Sequence, residues 1–359
     1  MIEHYSAGPF HFSISAPPAL SSRLHDPFTD LLSTEAGPDG EGFVVDGPFG
    51  HPPQVELVLG GDRRTRPAGF AQAALVSRLN LRLLDSDPER LHVHAAAVGL
   101  GEVGVVLAAR SGTGKSTTTA ALVLDGWSYL SDESVALSAG SSLLTGVPKP
   151  LSLTPNAIAL LSDKYPLARF GPPDAVAGPA IHKSLWSASG LGGEVRETIG
   201  CGVVAVLERP VDDVRDPHAT PLSAAEATVR LLELTQDFER FGPDGLETLA
   251  TLCAQSQCIR LSLGDLAQTT QLLRDIAERH TPPPEHELEI INFRDTQTVF
   301  VQSEAVVMNY ATNTAISLPA ETSELWRTEL GANSTHSKVA AGLRDLGILD
   351  HTDGNRSRT

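Results

Sequence analysis

The sequence predicts an α/β fold: a core built around a phosphate-binding loop, followed by a small α+β unit. Three observations point there. The run ARSGTGKST (109–117) sits between an apolar strand-like run, VVLAA, and a helix-like run, TTTAALVLDGW. Short apolar runs alternate with amphipathic stretches as far as about residue 275, the pattern of strands interleaved with helices. Then RHTPPPEHE interrupts the chain, because three prolines cannot continue a helix and stiffen a spacer. A new strand-and-helix pattern begins beyond it.

The elements follow in order. Residues 1 to about 85 read as a β-rich part with strands at Phe10–Ile14 and Val55–Leu59. Turn residues dominate Ala36–Pro53. GFAQAALVSRLNLRLL has helical spacing over about 69–84. VHAAAV and VGVVLAA, separated by GLGE, read as a strand, a turn and a second strand. SYLS after Gly126 is a further strand, as are GCGVVAVLERP and QCIRLSL. SAAEATVRLLELT, with a Ser N-cap, LETLATLCAQS and DLAQTTQLLRDIAERH read as helices. Past the spacer, ELEIINF, TVFVQS and AVVMNYAT read as strands, and SLPAETSELWRTEL and SKVAAGLRDLGIL as helices. The predicted organisation is therefore a core over 1–278, a linker over 279–286, a small domain over 287–352 and a polar, disordered tail over 353–359.

Composition narrows the function. The chain has 359 residues, 27 Lys plus Arg against 44 Asp plus Glu, and a net charge of -17. Nucleic-acid binding needs a basic footprint, and docking on anionic lipid needs the same, so neither is expected. The 3 cysteines include no CxxC pair, which argues for a reducing compartment and against a disulfide scaffold or structural zinc. MIEHYSAGPF lacks a charged segment followed by an apolar one, and no apolar stretch is long enough to span a bilayer. A cytoplasmic protein is expected.

The chemistry centres on the loop. A phosphate loop needs a strand that stops, backbone N–H groups turned inward, and a helix N-terminus beneath the phosphates. The pattern asks for Gly, four residues, then Gly-Lys-Ser/Thr; here Ala109 replaces the first glycine. Ser111, Gly112, Thr113, Gly114, Lys115, Ser116 and Thr117 are the expected binding residues, with Lys115 reaching the β- and γ-phosphates and Ser116 ligating Mg²⁺. Path length places Asp132 and Glu133 opposite them. A helix of about 10 residues leaves the loop, Gly126 ends it, and a strand of about 4–5 residues returns. Asp132 then lies level with the loop at the carboxyl end of a neighbouring strand, where it can take a proton from a hydroxyl or hold a metal. If the GLGE hairpin is centred near 101–102, His94 pairs with Ala109 at the loop mouth. His92, two residues away, falls on the same strand face, and the HxH spacing leaves a metal pair open. Arg110 could touch phosphate or face solvent.

The runs HAAAV, SGTGKSTTTAALVLDGWSYLSDES and PKPLSLTP, with the opening HYSAGPFHFSISAPPAL, resemble the HPr kinase-like family. The resemblance covers roughly residues 1–278. It is nearest to the HPr kinase-related proteins found with ribosomally made peptide clusters, such as lasso-peptide kinases, and implies a core like that of phosphoenolpyruvate carboxykinase. The family's strand-start histidine matches His94, and its acidic pair matches Asp132 and Glu133, which supply a base and a metal-side carboxylate, with the division between the two left open. The pair is Asp-Asp in true HPr kinases, so Glu133 is a departure. The resemblance also suggests Lys149 or Lys183 as a neutraliser of the γ-phosphate. The C-terminal run VVMNYATNTAISLPAETSELW, with the last helix ending LRDLGIL, resembles PqqD-like peptide recognition domains, small winged-helix units that bind a leader peptide as an added strand. Asn309, Leu318 and Trp326 carry that likeness, with Trp326 read as core.

Together these readings imply an ATP- and Mg²⁺-dependent kinase acting on a Ser or Thr of a precursor peptide. One alternative makes phosphorylation the first step of a dehydration completed by a partner lyase. Another is a nucleotide-switched peptide chaperone without catalysis. A homo-oligomer stays open.

Overall fold

A computed structural model describes residues 2–34, 40–49, 54–59, 61–67, 70–166, 183–209, 216–284, 287–293, 295–331 and 338–349. The expected tail over 353–359 lies outside them. The protein is mixed α/β, with two large sheets and two smaller ones among these residues. No helix among them is long and apolar enough to cross a membrane.

The N-terminal part is a six-stranded sheet. Strands Ile2–Ala7 and Phe10–Ser15 form its central hairpin, continued by Glu41–Phe49, Gln54–Leu59 and Asp62–Pro67. Turn residues had suggested loops over 36–53, yet Glu41–Phe49 is a strand, because Phe43 and Val45 alternate inward beneath a helix. That helix, Ala71–Ser86, buries Ala71, Leu75, Leu79 and Leu83 on the sheet, one residue per turn on a single face. Arg78 and Arg82 reach across to Glu41 at 2.9 and 2.7 Å and fix the helix along the sheet.

The nine-stranded central sheet holds the loop. The hairpin Ala95–Leu100 and Val103–Ala108 pairs Ala95 with Ala108 and Leu100 with Val103, the register the sequence predicts. Val103–Ala108 lies parallel to Thr198–Glu208, which lies parallel to Gln257–Ser262. These strands are apolar without alternation because both faces are covered. Val106, Ala108, Val204 and Val206 meet helices Ala224–Leu232 and Pro243–Ala254 on one side. Val105, Leu107, Val203 and Ala205 meet Leu122, Leu273 and Ala277 on the other. The Ser223 hydroxyl caps Ala224–Leu232 by accepting from Glu226 N–H, as its sequence position suggests.

The strand Ser128–Ser131 pairs with Ala95–Leu100, so one strand stands between the acidic pair and the loop strand. That corrects the expected neighbouring position by one strand while keeping the level.

The C-terminal part is a four-stranded antiparallel meander, Glu289–Phe293, Thr296–Val301, Glu304–Asn309 and Thr314–Leu318, followed by helices Ala320–Gly331 and Lys338–Asp345. The helix was expected to begin at Ser317; Ser317 and Leu318 instead close the last strand, and Pro319 separates it from the helix. One face of this sheet (Val299, Val301, Val306, Met308) joins the same core as the central helices. The other packs on Trp326, Leu343 and Ile348.

Candidate active site

The loop begins where Val103–Ala108 ends. Gly112 and Gly114 have φ of 82° and 126°, conformations that favour glycine. Gly114 caps helix Lys115–Leu124, whose first turn holds no acidic side chain. Its free N–H groups and dipole face a cavity of about 440 Å³, an anion-binding geometry. Ser111, Gly112, Gly114, Lys115, Ser116 and Thr117 all line that cavity. Thr113 does not. Its N–H and hydroxyl both donate to Arg110 O, at 3.3 and 2.9 Å, which closes the turn.

Lys115 is buried, and its ammonium donates to His94 O at 3.1 Å. Burial pulls its pKa down to about 8, against the raising influence of Asp132 and Glu133. The lysine therefore gives up its proton more readily than an exposed one.

Across the cavity lie Asp132 and Glu133. Asp132 is buried, with Ser152 N–H donating to it at 3.3 Å. The Tyr129 hydroxyl stands 3.4 Å from the same carboxylate and donates to Lys149 O at 2.8 Å. Lys149 is fully buried; its ammonium bonds Glu133 and lies 3.7 Å from Asp132. It does not line the cavity. Expected as a neutraliser of phosphate, Lys149 stands in this structure as the cation beside the two adjacent carboxylates. Burial alone would raise Glu133, but the Lys149 charge and hydrogen bond, with the Asn80 hydrogen bond, hold it at about 2. Gly146 shapes the approach to Lys149: a Cβ there would stand 2.5 Å from Leu130 O, so a side chain would push the acidic strand away.

His94 lines the cavity, between strands Leu91–Val93 and Ala95–Leu100. Burial first, then the charges of Lys115 and Lys149, lower its pKa, which favours a neutral imidazole. His92 is separate. It is buried, 3.2 Å from the Ser134 hydroxyl and 3.3 Å from Asp87, and it lies outside the cavity lining; the HxH pair does not converge. No cluster of three metal-ligating side chains occurs among the described residues. Lys183 is exposed and lines the cavity, so of the two candidate lysines it is the one able to meet an anion.

Sequence reading missed four contributors. Gln72, Ser77 and Asn80 of helix Ala71–Ser86 form the opposite wall, and Asn80 donates to Glu133 at 3.2 Å. The only signal was the polar face of that amphipathic helix. Arg209, at the end of Thr198–Glu208, bonds Gly112 O and braces the loop from outside. Arg110 pairs with Glu233 at 3.1 Å, away from the main cavity.

No family model and no curated protein matches this chain. Among solved structures, the Hpr(Ser) kinase/phosphatase from Coxiella burnetii is similar at 14% identity over 51% of this chain and 88% of its own, with a TM-score of 0.26. So distant a likeness leaves the chemistry to be argued from the site.

Proposed function

We propose that this protein is an ATP-dependent kinase that phosphorylates a serine or threonine hydroxyl of a ribosomally made precursor peptide. One observation carries the phosphotransferase part: a buried lysine at a helix N-terminus, under a loop with two left-handed glycines, faces a lysine-braced pair of carboxylates across a shared cavity. Phosphoryl transfer asks little of covalent chemistry and much of positioning and charge, which is what these groups supply.

The residues fit a nucleotide and a magnesium ion. The loop N–H groups and Lys115 would hold the phosphates; the Ser116 hydroxyl and the Glu133 carboxylate are the oxygen ligands on offer. A hard cation held by few protein oxygens and by phosphates is the usual magnesium arrangement, so the lack of a larger ligand cluster among the described residues is no obstacle. Bound magnesium would offset charge on the transferring group. The acceptor oxygen would bond to the γ-phosphorus as the bond to the β-phosphate oxygen breaks. Asp132 would orient that hydroxyl and take its proton, since Glu133 is pinned to Lys149. Lys115 and Lys183 would balance the charge of the phosphates.

The peptide part rests on the C-terminal resemblance. The two outer strands, Glu289–Phe293 and Thr314–Leu318, each pair on one side only within their sheet, and an added strand is a common mode of peptide capture. Holding the leader there would raise the local concentration of the acceptor, by up to about 10²-fold or more in apparent affinity.

The test is incubation with ATP, magnesium and precursor peptides encoded nearby, read by mass spectrometry. The expected product carries one added phosphate, the Lys115→Ala variant loses at least about 10³-fold in rate, and leaderless peptide reacts far more slowly. Absence of transfer to every such peptide would count against the peptide reading, and absence of nucleotide binding against the whole. A product lighter by one water would point to elimination with a partner lyase.

A further inference from the structure

A second cavity, about 180 Å³, touches the same loop from its other flank. In sheet order the acidic strand and the loop strand are separated by Ala95–Leu100, and Thr198–Glu208 lies on the loop strand's far side. The larger cavity belongs to the acidic flank. The smaller one opens at the carboxyl ends of Val103–Ala108 and Thr198–Glu208, two parallel strands, the place where open α/β sheets receive ligands. Ala109 and Thr113 of the loop line it, so it is continuous with the turn that would carry the phosphates.

Its walls differ from those of the larger cavity. The floor is apolar, from Ala109, Val206 and Leu207. The rim carries Arg110, Arg230, Glu208 and Glu233, with Glu233 3.1 Å from Arg110 and 3.8 Å from Arg230, and Glu208 held 3.4 Å from Arg260. An apolar floor accepts the face of a flat ring, and an arginine guanidinium stacks on the other face. A carboxylate at the edge can accept hydrogen bonds from sugar hydroxyls, as acidic residues do in dinucleotide folds. Arg110 is mostly exposed and Glu233 partly so, so both can turn toward a ligand.

We infer that this second cavity is the nucleoside subsite: the base and ribose of the nucleoside triphosphate lie between Arg110 and the ends of the two parallel strands, with Glu233 on the ribose. The inference rests on the kinase reading, because that reading puts the terminal phosphate at the acidic pair. A triphosphate laid along the loop then runs from the acidic flank toward Thr198–Glu208. The nucleoside leaves on that side, and the larger cavity beside helix Ala71–Ser86 is left for the acceptor hydroxyl.

Calorimetry with the full chain separates the two ideas. Wild type, Arg110→Ala, Glu233→Ala and the double variant are titrated with Mg-ATP and with magnesium tripolyphosphate. Wild type is expected to bind ATP more tightly than tripolyphosphate. The double variant should lose about tenfold or more in ATP affinity and keep its tripolyphosphate affinity. Equal loss for both ligands would place Arg110 on phosphate and overturn the subsite. Unchanged ATP affinity would overturn it while leaving the kinase reading intact. Binding of neither ligand by wild type would overturn both. A photoreactive azido-adenine analogue of ATP gives a second, independent readout: label is expected within residues 226–236 or 109–113, and label on helix Ala71–Ser86 would put the nucleoside on the wrong side.

Discussion

The central sheet and the C-terminal sheet are both buried on two faces, yet they expose different things. The central sheet ends in polar groups: a loop of N–H donors, Lys115, Asp132 and Glu133 gather at one rim around a cavity. Among the described residues, the C-terminal sheet shows no such rim. Its second strand, Thr296–Val301, is buried along its length, and its polar side chains are matched internally. Trp326 donates to Thr298 at 3.1 Å, Tyr310 to Gln297 at 2.6 Å, and Thr296 to Phe293 O at 2.6 Å. Satisfied polar groups in a packed layer rigidify; they do not catalyse. One region is built to hold charge, the other to hold shape.

Three measurements sharpen that contrast. Lys149→Ala should have the largest effect. It leaves the buried Asp132 and the half-buried Glu133 without their cation, a loss of about 3 kcal/mol, the low end for a buried pair because Glu133 is partly solvated, seen in denaturant melts at neutral pH. A stable Lys149→Ala protein with normal turnover would mean the acidic pair does not need its counter-ion. Met308→Ala comes next. Met308 sits in the core shared by the C-terminal sheet and the central helices, so the loss of about 2–5 kcal/mol should move a single thermal transition of the whole chain. Two transitions, only one of them shifted, would show that the sheets fold independently.

The smallest effect is on pH dependence. Lys115 titrates near pH 8 in the free protein because burial lowers it. Its protonated, anion-binding form is complete well below that value and is lost as pH rises through it. Affinity for Mg-ATP should therefore fall several-fold between pH 7 and 9, followed by fluorescence titration. A flat profile would show that Lys115 keeps its proton in the free protein.

Much of this was legible in the sequence. The strand VVLAA, the glycines of SGTG and the helix behind Lys115 follow local rules, and local rules carry position well. The hairpin register followed from a turn of fixed length, and the level of Asp132 from counting one helix and one strand. What was missed depended on contacts far apart in sequence. Lys149 looked like a phosphate ligand because a lysine in PKPLSL carries no sign of the two carboxylates it will meet. His94 was placed at the loop mouth from the hairpin register, but the HxH spacing left a metal pair open until the strand broke at His94 and the two rings were seen to diverge. Asn80 and Arg209 belong to elements read correctly, but only packing brings them to the site. Glu41–Phe49 was hidden by its two glycines and Pro48, and Thr314–Leu318 by the helix signal that follows it.

The most direct test of the central claim is the Asp132→Asn variant, assayed for nucleotide binding and for phosphate transfer in the same preparation. The loop and Lys115 remain intact, so Mg-ATP should bind within about threefold of wild type, while transfer to peptide falls by about 10²–10⁴. Transfer at the wild-type rate, or loss of nucleotide binding with the fold preserved, would contradict the assignment of Asp132 as the group that faces the reacting hydroxyl.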